Sequence, residues 1–179
     1  MKRFIVGTLI SIILLLSYVA SAERSSLGIA TCYIKWLNVY NVSISSVPYF
    51  TPEVDENNNK TLFIDDLAVS YNNSTFVSDR ITLFYIDNET MAKEIIDKWT
   101  RASAFFGALE YGDPESLSVK EIINARHEIS EILSEMNKAM FDFGRIKENH
   151  TIPFHKGKDS RLYYLTYLQN DQQWIIELK

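Results

Sequence analysis

"IKWLNVYNVSIS", residues 34–45, decides how the first third of the chain folds. Read alternately, Ile34, Trp36, Asn38, Tyr40, Val42 and Ile44 share one side of an extended chain, and all but Asn38 are apolar or aromatic. Period two marks a half-buried strand, because successive side chains leave opposite faces of the pleat. The alternation runs from Ala30 to Val47, with Thr, Val, Ile, Tyr and Trp prominent, and predicts one long strand or a pair broken near Asn38. Strands rarely exceed about ten residues, so a bend or bulge is expected within it. Cys32, in register with Ile34 and Trp36, is expected to be a buried strand residue. As the sole cysteine it allows no internal disulfide.

Upstream stands "MKRFIVGTLISIILLLSYVASAER": Lys2 and Arg3, an apolar run from Phe4 to about Leu16, then Ala20-Ser21-Ala22. Those are the parts of a secretory signal peptide, which predicts cleavage before Glu23 and export to the periplasm or the extracellular space. Residues 1–22 are then the signal peptide and residues 23–179 a single domain. Taking away those 22 residues and their two basic side chains, from 179 residues with 18 basic and 23 acidic, leaves 157 residues at a formal charge of −7. A domain of this size buries roughly 70% of its unfolded surface without staples. Nucleic acid is not an expected partner for so acidic a chain, since phosphate binding needs a basic face. The densest basic stretch, "GRIKENHTIPFHKGKDSR", also carries Glu148 and Asp159 and reads as a solvated loop. No segment after residue 22 is apolar enough to span a bilayer. Six N-x-[ST] sequons occur, at Asn41, Asn59, Asn72, Asn73, Asn88 and Asn149.

Downstream, "TPEVDENNNK", residues 51–60, is polar and turn-forming and predicts an exposed loop. Strands are expected over Thr61 to Tyr71 and Arg80 to Ile86. The period then switches to 3.6, with Met91, Ile95, Trp99, Ala102 and Phe106 on one stripe, Asp87 or Asn88 as cap and Gly107 as terminator. "SVKE" supplies a capping box, Ser118 with Glu121, for a second helix whose apolar face runs from Val119 to Phe143, with Gly144 closing it. Thr151 to Phe154, Arg161 to Gln169 and Gln172 to Leu178 read as strands, the last two joined by the turn Asn170-Asp171. The order predicts an α+β fold, an antiparallel sheet with two helices packed on one face.

Catalytic patterns are incomplete. "HEISE", His127 to Glu131, has Glu131 where a zinc-protease helix needs its second histidine, so His127, Glu128 and Glu131 read as a solvent-facing helix surface. Asp65 and Asp66, neighbours on an expected strand, should point to opposite faces and be unable to share a substrate. No G-x-S-x-G elbow and no glycine-rich phosphate loop occurs. No catalytic residue, metal or cofactor is therefore expected. Ten Tyr, ten Phe and three Trp remain, enough for either a packed aromatic core or an apolar pocket with polar handles.

The order of elements resembles the chalcone isomerase-like proteins, in particular exported bacterial members. "SLGIATCYIKWLNVYNVSI" is similar to that family's glycine strand followed by an aromatic-V-Y strand, here Trp36 to Tyr40. "DRITLFYIDNETMAKEIIDKW" resembles its strand running straight into a helix. "ISEILSEMNKAMFDFGRIKENHTIPF" resembles its helix ending in a phenylalanine-containing turn before a strand. Thr51 to Ser78 has no counterpart. The resemblance implies an open-faced antiparallel sandwich with a cleft between sheet and helices. It does not imply isomerase activity: the segment matching the plant enzymes' K-F-T is Lys35-Trp36-Leu37, with leucine in place of threonine, and the catalytic arginine has no match. Non-catalytic relatives bind fatty acids, so a small lipophilic ligand is the implied cargo. Lys35, Trp36, Tyr40, Tyr85 and Trp99 are its expected contacts. The alternative is an interaction or structural protein with a filled core and a protein partner, for which the loop Thr51 to Lys60 is the expected surface.

Overall fold

The computed structural model describes residues 26–75, 78–86, 92–143, 150–168 and 173–178. The signal segment, the cap at Asp87 or Asn88, the terminator Gly144, the turn Asn170-Asp171 and the sequons Asn88 and Asn149 lie outside the described residues. Among the described residues there are three helices, α1 (Ser26–Val39), α2 (Ala92–Tyr111) and α3 (Val119–Phe143), with a 3-10 turn at Pro114–Ser116 between the last two. Among the same residues there are seven strands: β1 (Tyr49–Phe50), β2 (Asn59–Ile64), β3 (Leu67–Asn72), β4 (Ser78–Ile86), β5 (Thr151–Lys156), β6 (Leu162–Leu168) and β7 (Gln173–Leu178). They form one sheet in the order β1-β2-β3-β4-β7-β6-β5. Every pairing is antiparallel.

The expected α+β class and antiparallel sheet stand, with one large correction. Residues 26–39 are helix, not strand, so the sheet carries three helices rather than two. The reason lies in residues of both parities. Ile29, Cys32, Tyr33, Trp36 and Leu37 are all buried and recur at the three- and four-residue spacing of a helix face. Trp36 and Tyr40 satisfy both periods; Tyr33 and Leu37 satisfy only the helical one. The helix ends at Asn41, whose φ of 58° is left-handed. Asn41 N donates to Asn38 O and Val42 N to Leu37 O, at 3.0 and 2.9 Å, the bond pair that closes a helix around a left-handed residue. The apparent alternation beyond residue 40 belongs to the linker that follows.

Two further boundaries move. Residues 61–71 are not one strand but the end of β2 and most of β3, folded back at Asp65-Asp66 so that Ile64 pairs with Leu67. Asp65 has φ 47°. Gly107 does not end α2; it lies inside it, because a Cβ there would stand 2.5 Å from the Trp36 ring. The helix runs on to Tyr111, and Gly112, with φ 66°, makes the turn. The capping box is present as expected: Ser118 N donates to Glu121 Oε2 at 2.7 Å and Glu121 N to Ser118 Oγ at 3.3 Å.

Register explains where the core sits. One row across all seven strands reads Phe50, Leu62, Val69, Ile81, Leu178, Tyr163 and His155; the next reads Ile64, Leu67, Leu83, Ile176, Leu165 and Ile152. From Leu62 to Tyr163 and from Ile64 to Leu165, no residue of these rows is more than 3% exposed. Both rows face the helices. Each fully buried aliphatic side chain there contributes roughly 1.5–3 kcal/mol of hydrophobic stabilisation, which identifies this layer as the source of the fold's stability. α1 packs chiefly on α2 and touches β3; α3 packs on α2 and reaches β5 and β6.

Candidate functional site

The five residues expected to line a cleft are divided by the helical correction. Trp36 is wholly buried between α1 and α2, its Nε1 donating to Gly112 O at 2.8 Å. Its ring fills the space that Gly107 leaves open. Tyr40 lies beside it, ring centroids 6.3 Å apart, with the Arg126 guanidinium over the Tyr40 ring at 5.2 Å. Lys35 turns away and binds Asp113 and Glu115, both at 2.6 Å. Trp99 is half-buried against the core from α2. Tyr85 is on β4, opposite Trp174 of β7. The structure thus joins Trp36 and Tyr40 and separates Lys35 from them in chemistry, its ammonium committed to two carboxylates.

Two polar clusters tie the layers together. Arg101, on α2, reaches Asp65 at 2.8 Å, Asp97 at 2.8 Å and Asp66 at 3.9 Å. Asp65 and Asp66 were expected on opposite faces; because they form a turn instead, both reach one guanidinium. Asp65 also accepts from Ser45 N, Ser46 N and Ser46 Oγ, which pins the linker between α1 and β1. Burial alone would raise the Asp65 carboxyl, but these hydrogen bonds and Arg101 outweigh it and hold the group well below the usual carboxylate range. Nearby, the Tyr33 hydroxyl is buried and, among the described residues, has no partner in hydrogen-bond geometry; burial pushes its phenol upward. At the far end of the sheet, Glu110 accepts from Tyr163 Oη at 2.6 Å and Lys158 N at 2.8 Å. Gly157 leaves room for this carboxylate, since a Cβ there would stand 2.5 Å from Glu110 Oε1 and displace it. Arg101 with Asp65 and Glu110 with Tyr163 thus fasten the helix layer to the strands and the linker.

His127 and Glu131 are both largely exposed, with His127 Nε2 3.7 Å from Glu131. No group of three or more potential metal ligands occurs among the described residues. Among the same residues, no helix is long and apolar enough to cross a membrane.

The sheet's other face carries a trough. The rows of this face read Tyr49, Phe63, Ala68, Thr82, Glu177, Tyr164 and Pro153, then Thr61, Ser70 and Arg80, then Phe84, Ile175, Thr166 and Thr151. The small side chains Ala68 and Ser70 on β3 leave a trough between β2 and β4. Phe63 flanks it on one side and Phe84 and Arg80 on the other, and Asp55, Asn57 and Asn59 close one end. Its volume is about 440 Å³, within the usual range for small-ligand sites.

The closing loop is ordered from within. Asp55 accepts from Asn57 N and Asn59 N, each at 2.8 Å, which lowers the Asp55 carboxyl, Asn59's backbone bond contributing most. The strand ladder reaches it through Thr51 N to Thr61 O and Asp55 N to Asn59 O, both 2.9 Å. Tyr49 stacks on Phe63 with centroids 5.1 Å apart and planes 17° from parallel. Val47, Tyr49, Phe50 and Val54 are large apolar side chains left exposed on this same edge. The loop was legible in the sequence as a surface; the trough was not, because it depends on which residues of β2, β3 and β4 stand side by side. A small pair, Ala68 and Ser70, between two phenylalanines is the only linear trace of it.

The chain matches no known family model, no curated protein and no solved structure.

Proposed function

We propose that the protein is an exported, non-catalytic binding domain whose recognition surface is the uncovered face of the sheet at β1 to β4, closed by the loop from Thr51 to Asn59. The observation that carries this is the trough of about 440 Å³ beside the loop. Export rests on the signal-like residues 1–22. The helix side supplies the scaffold: its aromatic residues pack on one another, and Trp36 fills the position where a cleft was expected. Of the two functions the sequence allows, a carrier with an interior cavity and an interaction domain acting through the Thr51 to Lys60 loop, the second has the geometry in its favour. The chalcone isomerase-like resemblance stays a proposal about ancestry, and its first stretch, read as two strands, is α1.

Site-specific photo-crosslinking in the producing cell tests the proposal. Benzoylphenylalanine at Asn57 and at Phe63 should yield the same adduct, and at Ile96 and Ile123, exposed on α2 and α3, none. Adducts only from the helix positions would reverse the assignment.

A further inference from the structure

We infer that the trough on the open sheet face is a saccharide subsite, holding an uncharged sugar ring of a glycan between Phe63 and Phe84. This rests on the open face being the recognition surface and adds the class of ligand. The floor and flanks are aromatic and small: Phe63, Phe84 and Ala68. Aromatic faces stack on the C–H side of a pyranose ring, burying apolar area without demanding a formal charge. The rim supplies groups that both give and accept hydrogen bonds. Among the described residues, the Asn57 amide and the Thr61 and Ser70 hydroxyls make no side-chain hydrogen bond within the protein, so they are available to sugar hydroxyls. The trough's width suits a single ring, since β2 and β4 stand two strand spacings, about 10 Å, apart.

Charge does not favour the main ionic competitors. The Asp55 carboxylate is occupied by its own loop amides, and the Arg80 guanidinium lies 3.5 Å from Glu177. An anionic ligand would have to compete with Glu177 for Arg80, the one cation in the trough's lining, and a cationic one would meet in Asp55 a carboxylate already satisfied. A lipid chain would have to desolvate the Asn57, Asn59, Ser70 and Thr82 polar groups with nothing to return to them. An extended peptide would gain no ladder, because β2, β3 and β4 already pair on both sides. A polyhydroxylated neutral ring meets none of these penalties.

The test is an amide NMR titration of the full exported chain with chitotetraose, cellotetraose and maltotetraose at millimolar concentration, and with an unstructured neutral peptide in parallel. At least one tetrasaccharide should move the Phe63, Ser70 and Thr82 amides and leave those of α3 in place. Phe63→Ala should weaken that binding at least about tenfold, as loss of a central stacking contact does. Asn57→Ala, on an exposed loop where folding is not at stake, should weaken it about threefold by losing a hydrogen bond. Ile123→Ala should leave it unchanged. Trough shifts produced by the peptide and by no saccharide would overturn the sugar assignment while keeping the surface. Silence with every probe, together with crosslinks from Asn57 and Phe63 to a protein, would overturn the sugar assignment alone. Silence with no such crosslinks would overturn the surface as well.

Discussion

Ile175 and Ile176 are adjacent on β7 and live in different environments. Ile176 stands in a helix-facing row with no exposed surface, while Ile175 stands on the uncovered face beside Phe84 and Thr166 and keeps part of its surface in water. From β2 to β6 the helix-facing rows are closed and, Tyr163 apart, aliphatic. The uncovered rows mix Phe, Tyr, Thr, Ser and Ala, and the one carboxylate in the central row, Glu177, is only 8% exposed and neighbours Thr82 and Arg80. A face that only had to be soluble would be studded with Lys and Glu. One side of the sheet is closed by packing against helices, and the other is uncovered and carries few charges.

The largest expected effect comes from cutting that contrast at its sharpest point. Ile176→Ala should cost about 4 kcal/mol through lost burial and a cavity, whereas Ile175→Ala should cost about 1 kcal/mol or less, the lower end for a side chain still partly wet. Parallel denaturant melts read both, and equal losses would mean that the uncovered face is a second core. Next comes the clasp. Asp65→Asn leaves Arg101 short of its most buried partner and should cost about 3 kcal/mol, as breaking a buried pair does. The same group sets acid sensitivity: its carboxyl is depressed in the folded state, so its stabilisation is complete above the unfolded carboxylate range, near pH 4, and is lost as pH falls through that range and below. The Asp65→Asn variant should therefore show a flatter loss of stability in acid than the parent, read by melts across that range.

Gly107→Ala tests the filling of the helix side. The added methyl would meet the rigid Trp36 ring, and overpacking of this kind costs about 2 kcal/mol; a melt with no loss would reveal free space around Trp36 and reopen the idea of an interior cleft. The smallest effect belongs to the exposed end of α3, where Ser118→Ala removes one arm of the capping box and should cost about 1 kcal/mol, checked by the same melts.

How far the sequence could be read follows the same division. The capping box at Ser118, the helix behind it and the closing hairpin were legible, because long periodic segments and local turn chemistry report themselves. The loop from Thr51 to Lys60 was legible as surface from composition alone. α1 was missed because Trp36, Tyr40 and the following Val42 and Ile44 satisfy an alternation, and only Tyr33 and Leu37 break it. Asp65-Asp66 was missed as a turn because the apolar residues on either side continue one another. The trough lay beyond linear reading altogether: Phe63, Ala68, Ser70 and Phe84 sit on three strands, and register alone brings them together.

Native mass spectrometry of the exported chain, purified without detergent, tests most directly the claim that the space between helices and sheet is filled and binding is left to the open face. The bare mass of the polypeptide, unchanged by solvent extraction, is expected. An added lipid-like mass that extraction removes, and that Trp36→Ala alters while Phe63→Ala does not, would contradict it and place the ligand among the helices.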